Sequence, residues 1–220
     1  MTIDSKPSLE ATYQVLPKID APLTCNKTVM NYPRRERSRA YLTPDEVQKL
    51  LEASRKEKFS RNPERDYCLL LLIFRHGLRV SEACQLKVTD IDLKEKRIHI
   101  NRLKKGEETR QPLYNGELGA VNAWLKVRKQ MQPHSNFLFI SERRQPLSRF
   151  TVSGLINKYA AAADLAELAV HPHMLRHACG YSLANKGTDT RLIQDYLGHK
   201  NIQHTVRYTK LAPNRFANLW

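Results

Sequence analysis

What the chain lacks narrows its role first. No run approaches the 18 or so consecutive apolar residues a bilayer-spanning helix needs. The longest, Tyr67 to Phe74, has the length of a buried helical segment. An apolar signal region is also missing, because Lys6, Pro7 and Glu10 interrupt the N-terminus. Cys25, Cys68, Cys84 and Cys179 are scattered with no CxxC among them, so neither a disulfide framework nor a zinc ribbon is expected. No P-loop G-x-x-x-x-G-K-[ST] is present, and no internal repeat. These absences place the chain, as an expectation, in the cytoplasm with reduced, buried thiols.

Acidic charge is also in short supply. The 37 Lys+Arg outnumber the 22 Asp+Glu, for a net charge of +15 and a pI near 9.8. Such a balance suits a polyanionic partner, nucleic acid or an anionic membrane surface, or else an ordinary basic surface. Residues 1–40 hold seven of the cations and four of the acids, so most of the excess lies beyond them. A basic arm alone does not account for it. With 220 residues and 41% hydrophobic content, the chain can build a real core.

Residues 1–39 read as a flexible basic tail with Pro7, Pro17, Pro22 and Pro33, closing on the cluster Arg34 to Arg39. Residues 40–220 read as one domain. It opens on Thr43-Pro-Asp-Glu46, an N-cap, a first-turn proline and a capping-box glutamate. Helices are expected from there, at about Arg65–His76 ending at Gly77, and from near Ser81. Further helices are expected over Gly119–Met131, Ser148–Ala163, Pro172 to about Asn185, and around Leu192–Leu197 before Gly198. The alternation in Arg97–Asn101, followed by Arg110–Leu113, predicts a β-hairpin, with Lys104 and Lys105 in its loop. A short strand is expected at Phe137–Ile140. The fold class is mainly α with a small β-hairpin or sheet.

Four pieces carry candidate chemistry. Arg79, just past Gly77, can present a guanidinium fork to a phosphate, or simply pair with Glu82. His173 and Arg176 share one helix face, and His177 lies a turn from His173. An imidazole beside a permanent cation suits proton movement at a phosphate; helix capping is the plainer reading, and metal ligation with His171 and Cys179 a third. Tyr208 follows His199 and Lys200, and a phenol is a poor nucleophile unless cations or a base assist it. Lys104-Lys105-Gly106 offers an amine at the hairpin tip, or only a solvated turn.

Taken in order, Arg79, the hairpin lysine, His173-x-x-Arg176, Leu197-Gly-His199 and Tyr208 resemble the tyrosine-recombinase, or phage-integrase, family over about Tyr41–Trp220. Within it the chain is most similar to the small fimbrial phase-variation invertases of enteric bacteria. The resemblance implies the DNA breaking-rejoining catalytic fold, without the separate N-terminal domain of larger members. It implies strand exchange through a 3′-phosphotyrosyl link made by Tyr208, with no metal or nucleotide cofactor. Arg79 and Arg176 would brace the phosphate, His173 take or position the tyrosine proton, and His199 donate a hydrogen bond. Lys104 would act as general acid, with Lys105 its close competitor, and Glu82 would orient Arg79. DNA contacts are expected from Lys105, His177 and Lys200, and from Arg149 and Lys158 on the helix after Ser148. The implied partners are duplex DNA with inverted repeats, DNA-bending proteins, and a homotetramer in which Phe216, Leu219 and Trp220 help to join protomers. An integrase of a mobile element and a type IB topoisomerase-like enzyme are the alternatives.

Overall fold

The computed structural model describes residues 39–212 apart from 57, 59 and 103–107. Its centre is helix α2 (Pro63–Arg75), in which every residue from Cys68 to Ile73 is at most 3% exposed. A helix apolar all round has to be wrapped by others. α1 (Pro44–Ser54), α4 (Asn115–Gln130) and α6 (Pro172–Asn185) pack on it. Truncating Leu69, Leu70 or Leu72 to alanine here costs about 2–5 kcal/mol, the usual range for a core leucine. α1 starts as its residues dictate: the Thr43 hydroxyl accepts from the Glu46 amide at 3.3 Å, and the Glu46 carboxylate accepts from the Thr43 amide at 2.8 Å.

The short α3 (Val80–Gln85) leads into a three-stranded antiparallel sheet, β1 (Ile91–Asp92), β2 (Arg97–Ile100) and β3 (Thr109–Pro112), in that order. The expected hairpin is β2–β3, in register Ile98 to Gln111 and Ile100 to Thr109. Ile98 and Ile100 face the core while Arg97 faces out, as period-two alternation requires. The predicted Phe137–Ile140 strand does not form. Only single bridges occur, Lys87 to Phe137 and Ile140 to Pro146. Side chains take the carbonyls a neighbouring strand would have used: Trp124 Nε1 donates to Leu138 O at 2.8 Å and Arg65 Nη1 to Ile140 O at 3.0 Å.

α4 begins four residues before the expected Gly119, because Glu117 caps it through the Tyr114 amide at 2.7 Å. α5 (Arg149–Ala162), capped by Ser148, packs on α1 and anchors to α2 where the Tyr159 hydroxyl donates to buried Asp66. The last three helices, α6, α7 (Thr190–Leu197) and α8 (Gln203–Lys210), pack on one another. Cys68, Cys84 and Cys179 are buried free thiols, and burial pushes Cys84 up to about 11. Among the described residues, no helix is long and apolar enough to cross a membrane.

Candidate active site

Two tight turns build the site. α2 ends at Arg75, and Gly77 turns the chain with φ +55°. A Cβ at Gly77 would sit 2.3 Å from the Leu197 side chain, so only glycine allows this approach. The turn delivers Arg79 to the start of α3, where the buried Glu82 accepts from the Arg79 amide at 2.8 Å and from its Nη1 at 2.5 Å.

The second turn closes α7. Gly198, at φ +64°, caps it in the left-handed conformation. Three successive carbonyls at this helix end each receive an arginine. Tyr196 O accepts from Arg102, Leu197 O from Arg176 Nη2 at 2.6 Å, and Gly198 O from Arg79 Nη2 at 3.3 Å. The negative end of the helix dipole suits three cations there. Arg176 also donates to Gly77 O, so it ties the two turns together.

Glu82 is the counterion at the centre. Its Oε2 accepts from Arg102 Nη1 at 2.9 Å and lies 3.9 Å from Arg176 Nη1. Burial alone would raise its pKa, but Arg102 and the Arg79 amide and side chain override this and hold it below the usual carboxylate range. Burial, then Arg79 and Arg102, bring Arg176 down to about 10, which leaves it charged at neutral pH. One carboxylate set among three guanidiniums leaves the site strongly positive.

Tyr208 projects from α8 into this surface and is 0% exposed. Its ring packs edge-on to Tyr181 at 4.9 Å and stacks with His199 at 6.1 Å. It also covers Gly180, whose added Cβ would meet it at 2.6 Å. The Tyr208 hydroxyl lies 2.7 Å from His177 Nδ1 and accepts from Arg207 Nη2 at 3.3 Å. Burial and then Arg207 lower the pKa of His177 to about 4, so a neutral imidazole faces the phenol and can accept its proton in a hydrogen bond. Burial, Arg176 and Arg79 bring His199 to about 3. Its Nδ1 is 2.9 Å from the Thr205 hydroxyl. When that hydroxyl donates, the His199 hydrogen sits on Nε2 and can be given to a phosphate.

Of the expected site residues, the fold gathers Arg79, Glu82, His173, Arg176, His177, His199 and Tyr208. His173 is exposed in the first turn of α6, with its ring 6.4 Å from that of His177. The partner of the tyrosine hydroxyl is thus His177, placed above one turn from His173 and given there the role of a DNA contact. Lys104 and Lys105 lie outside the described residues. Arg149, Lys158 and Lys200 are exposed, and none of them joins the cluster around Tyr208. Among the described residues, no group of three His, Cys, Asp or Glu is placed to hold a metal ion.

The phage integrase family matches residues 40–215, a span that holds every one of these side chains. The chain belongs to the phage integrase family. FimB of Escherichia coli K12, a type 1 fimbriae regulatory protein, is 48% identical over 186 residues, 84% of this chain and 90% of its own. FimE of the same strain is 48% identical over 184 residues, 83% of this chain and 91% of its own. The crystal structure of XerA recombinase superposes with a TM-score of 0.71 at 29% identity, covering 84% of this chain and 65% of that one. XerH, in a pre-cleavage complex with its difH substrate, superposes with a TM-score of 0.69 at 26% identity, covering 78% and 50%.

This phage integrase family member is therefore a site-specific recombinase that acts on DNA. Sequence reasoning missed three of its site residues. Arg102 is fully buried among the arginines, Gln111 Nε2 donates to Tyr196 O at 2.8 Å, and Arg207 contacts both His177 and Tyr208. No spacing marks Arg102 or Gln111, because both arrive from the hairpin across a long sequence separation. Arg207 could have been found, since it adjoins the tyrosine.

Proposed function

We propose that this recombinase inverts a promoter-bearing DNA segment between inverted repeats and so switches fimbrial expression. The observation that carries the reading is the 48% identity to FimB and FimE over about nine-tenths of their length. Tyr208 Oη attacks the scissile phosphorus, the bond to the 5′-oxygen breaks, and a 3′-phosphotyrosyl link forms. The tyrosine proton passes to the His173–His177 pair. The 5′-oxygen leaves as a hydroxyl after taking a proton from Lys104, with Lys105 as the alternative donor. Arg79 and Arg176 brace the charge on the non-bridging oxygens, where loss of such a donor typically costs about 3 kcal/mol. His199 adds a hydrogen bond. The freed hydroxyl then attacks the link in the partner duplex, which conserves bond energy. Two duplexes cut on both strands call for a homotetramer on synapsed DNA, with DNA-bending proteins to bring the sites together. Residues 1–39, with seven cations against four acids, add basic charge to the catalytic domain of residues 40–220.

Mapping the cleavage sites of the purified protein on DNA of its own source identifies the repeats. A supercoiled plasmid carrying them in inverted orientation should then be inverted by wild type and not by Tyr208→Phe. Relaxation without inversion would point to a topoisomerase-like enzyme. Inversion by Tyr208→Phe would remove the nucleophile from Tyr208.

A further inference from the structure

Arg102 stands two residues past the end of β2, with its side chain 0% exposed, and no step of the proposed chemistry uses it. Its Nη1 donates to Glu82, and its Nη2 to Tyr196 O and to His76 O at 3.3 Å. Gly198 leaves just enough room for it, since a Cβ there would meet Arg102 Cγ at 2.9 Å. From the other strand of the hairpin, Gln111 donates to the same Tyr196 carbonyl and lies 2.8 Å from His76 Nδ1. One buried guanidinium thus joins the sheet, the end of α2, the counterion Glu82 and the helix end on which Arg79 and Arg176 also rest.

We propose that Arg102 is a positioning residue for strand cleavage: it occupies the inner oxygen of Glu82 and pins the α7 carbonyl end, so that Arg79 and Arg176 are held to brace the phosphate. Without it, Glu82 Oε2 keeps the Arg79 amide at 2.8 Å but loses its one charged hydrogen-bond donor and turns towards Arg176, already 3.9 Å away, so that the carboxylate competes with the phosphate for that fork. The Tyr196 carbonyl loses its charged donor at the same time, and the register of α7, which sets His199, slackens. This inference rests on the reading that Arg79 and Arg176 brace the scissile phosphate, and the test separates the two.

The measurement is single-turnover cleavage by the full chain on a nicked duplex built on the mapped repeat. The scissile position carries either the normal phosphodiester or a methylphosphonate, whose neutral methyl removes the charge that the arginines serve. Arg102→Met should cleave the diester about 10- to 100-fold more slowly, the scale of a displacement near 1 Å in an active site. Its DNA affinity should stay within about twofold of wild type, and on the methylphosphonate its deficit should shrink to less than about threefold. Arg102→Lys keeps the charge beside Glu82 but cannot fork to the carbonyls, so it should show the same pattern more weakly; it decides the matter if Arg102→Met fails to fold. An equal deficit on both substrates, or none on the diester, overturns the proposal. Failure of the methylphosphonate to rescue Arg176→Ala would instead overturn the phosphate-bracing reading beneath it.

Discussion

At the scale of single residues, the tyrosine is held in a slot whose walls are side chains with no room to give. Gly180 forms one wall: its added Cβ would come within 2.6 Å of the Tyr208 ring, inside any real contact. In an open helix interior, Gly→Ala gains about 1 kcal/mol. Here the same change displaces the ring, and overpacking of this kind costs about 1–3 kcal/mol. Gly180→Ala should therefore lower the melting temperature and slow cleavage at least about tenfold, since a shift near 1 Å in a reacting group costs that much or more. Gly154, which has open space around a Cβ, is the control and should tolerate alanine. The neutral histidines around the phenol give a second test. His199 and His177 have folded pKa values of about 3 and about 4, below the 6.5 of an unfolded histidine. Between those values the unfolded chain binds more protons, so the stability these histidines carry is present at pH 7 and is lost as pH falls from about 6.5 towards 4. Denaturant titrations of His199→Asn should show a shallower loss than wild type across that window. An identical slope in both proteins would show that His199 does not titrate as its burial among arginines requires.

The end of α7 is the element that organises the site, and it was half legible beforehand. Ile193 and Leu197 mark its buried face and Gly198 its end, so the helix and its stop follow from periodicity and a left-handed cap. The convergence of Arg102, Arg176 and Arg79 on three successive carbonyls is not legible. It depends on separations of 94, 21 and 119 residues, which no local pattern encodes. The same limit applies at Phe137–Ile140, where the apolar run reads as a strand but Trp124 and Arg65 from distant helices take the carbonyls. Capping signals, by contrast, act within one turn, and Thr43 and Ser148 stand where their residue types place them. Arg79, His173, Arg176, His199 and Tyr208 are proposed from their order along the chain, and the fold brings them together, whereas the contact of Tyr208 with His177 needed the fold. A paired substitution tests the helix end. Gly198→Ala meets both a strained φ of +64° and Arg102 Cγ at 2.9 Å, while Gly187→Ala meets a φ of +77° with open space around it. Gly187→Ala should cost about 1 kcal/mol, from backbone strain alone. Gly198→Ala should cost about 1–3 kcal/mol more and slow cleavage, because the arginine must move. Equal melting shifts for the two would remove Arg102 from contact with the turn.

For the whole molecule, the question is what grips the DNA, and the net charge of +15 is large enough to make the answer measurable. Each phosphate neutralised by a lysine or arginine releases counterions, so the logarithm of the binding constant falls against the logarithm of salt with a slope of about −0.9 per contact. If the surface around the active site engages six or more phosphates, that slope is about −5 or steeper. Residues 1–39 hold seven cations against four acids, a small share of the total excess. Their removal should therefore flatten the slope by well under half, and the remaining chain should still bind and cleave the mapped repeat. Fluorescence anisotropy of a labelled duplex between about 50 and 200 mM salt covers the range in which such contacts cost decades of affinity. Loss of more than half of the slope on truncation would put the grip in the N-terminal residues. A flat dependence in the full chain would mean that phosphate contacts do not dominate binding, and that base contacts or neighbouring protomers hold the duplex against a site whose arginines serve the chemistry alone.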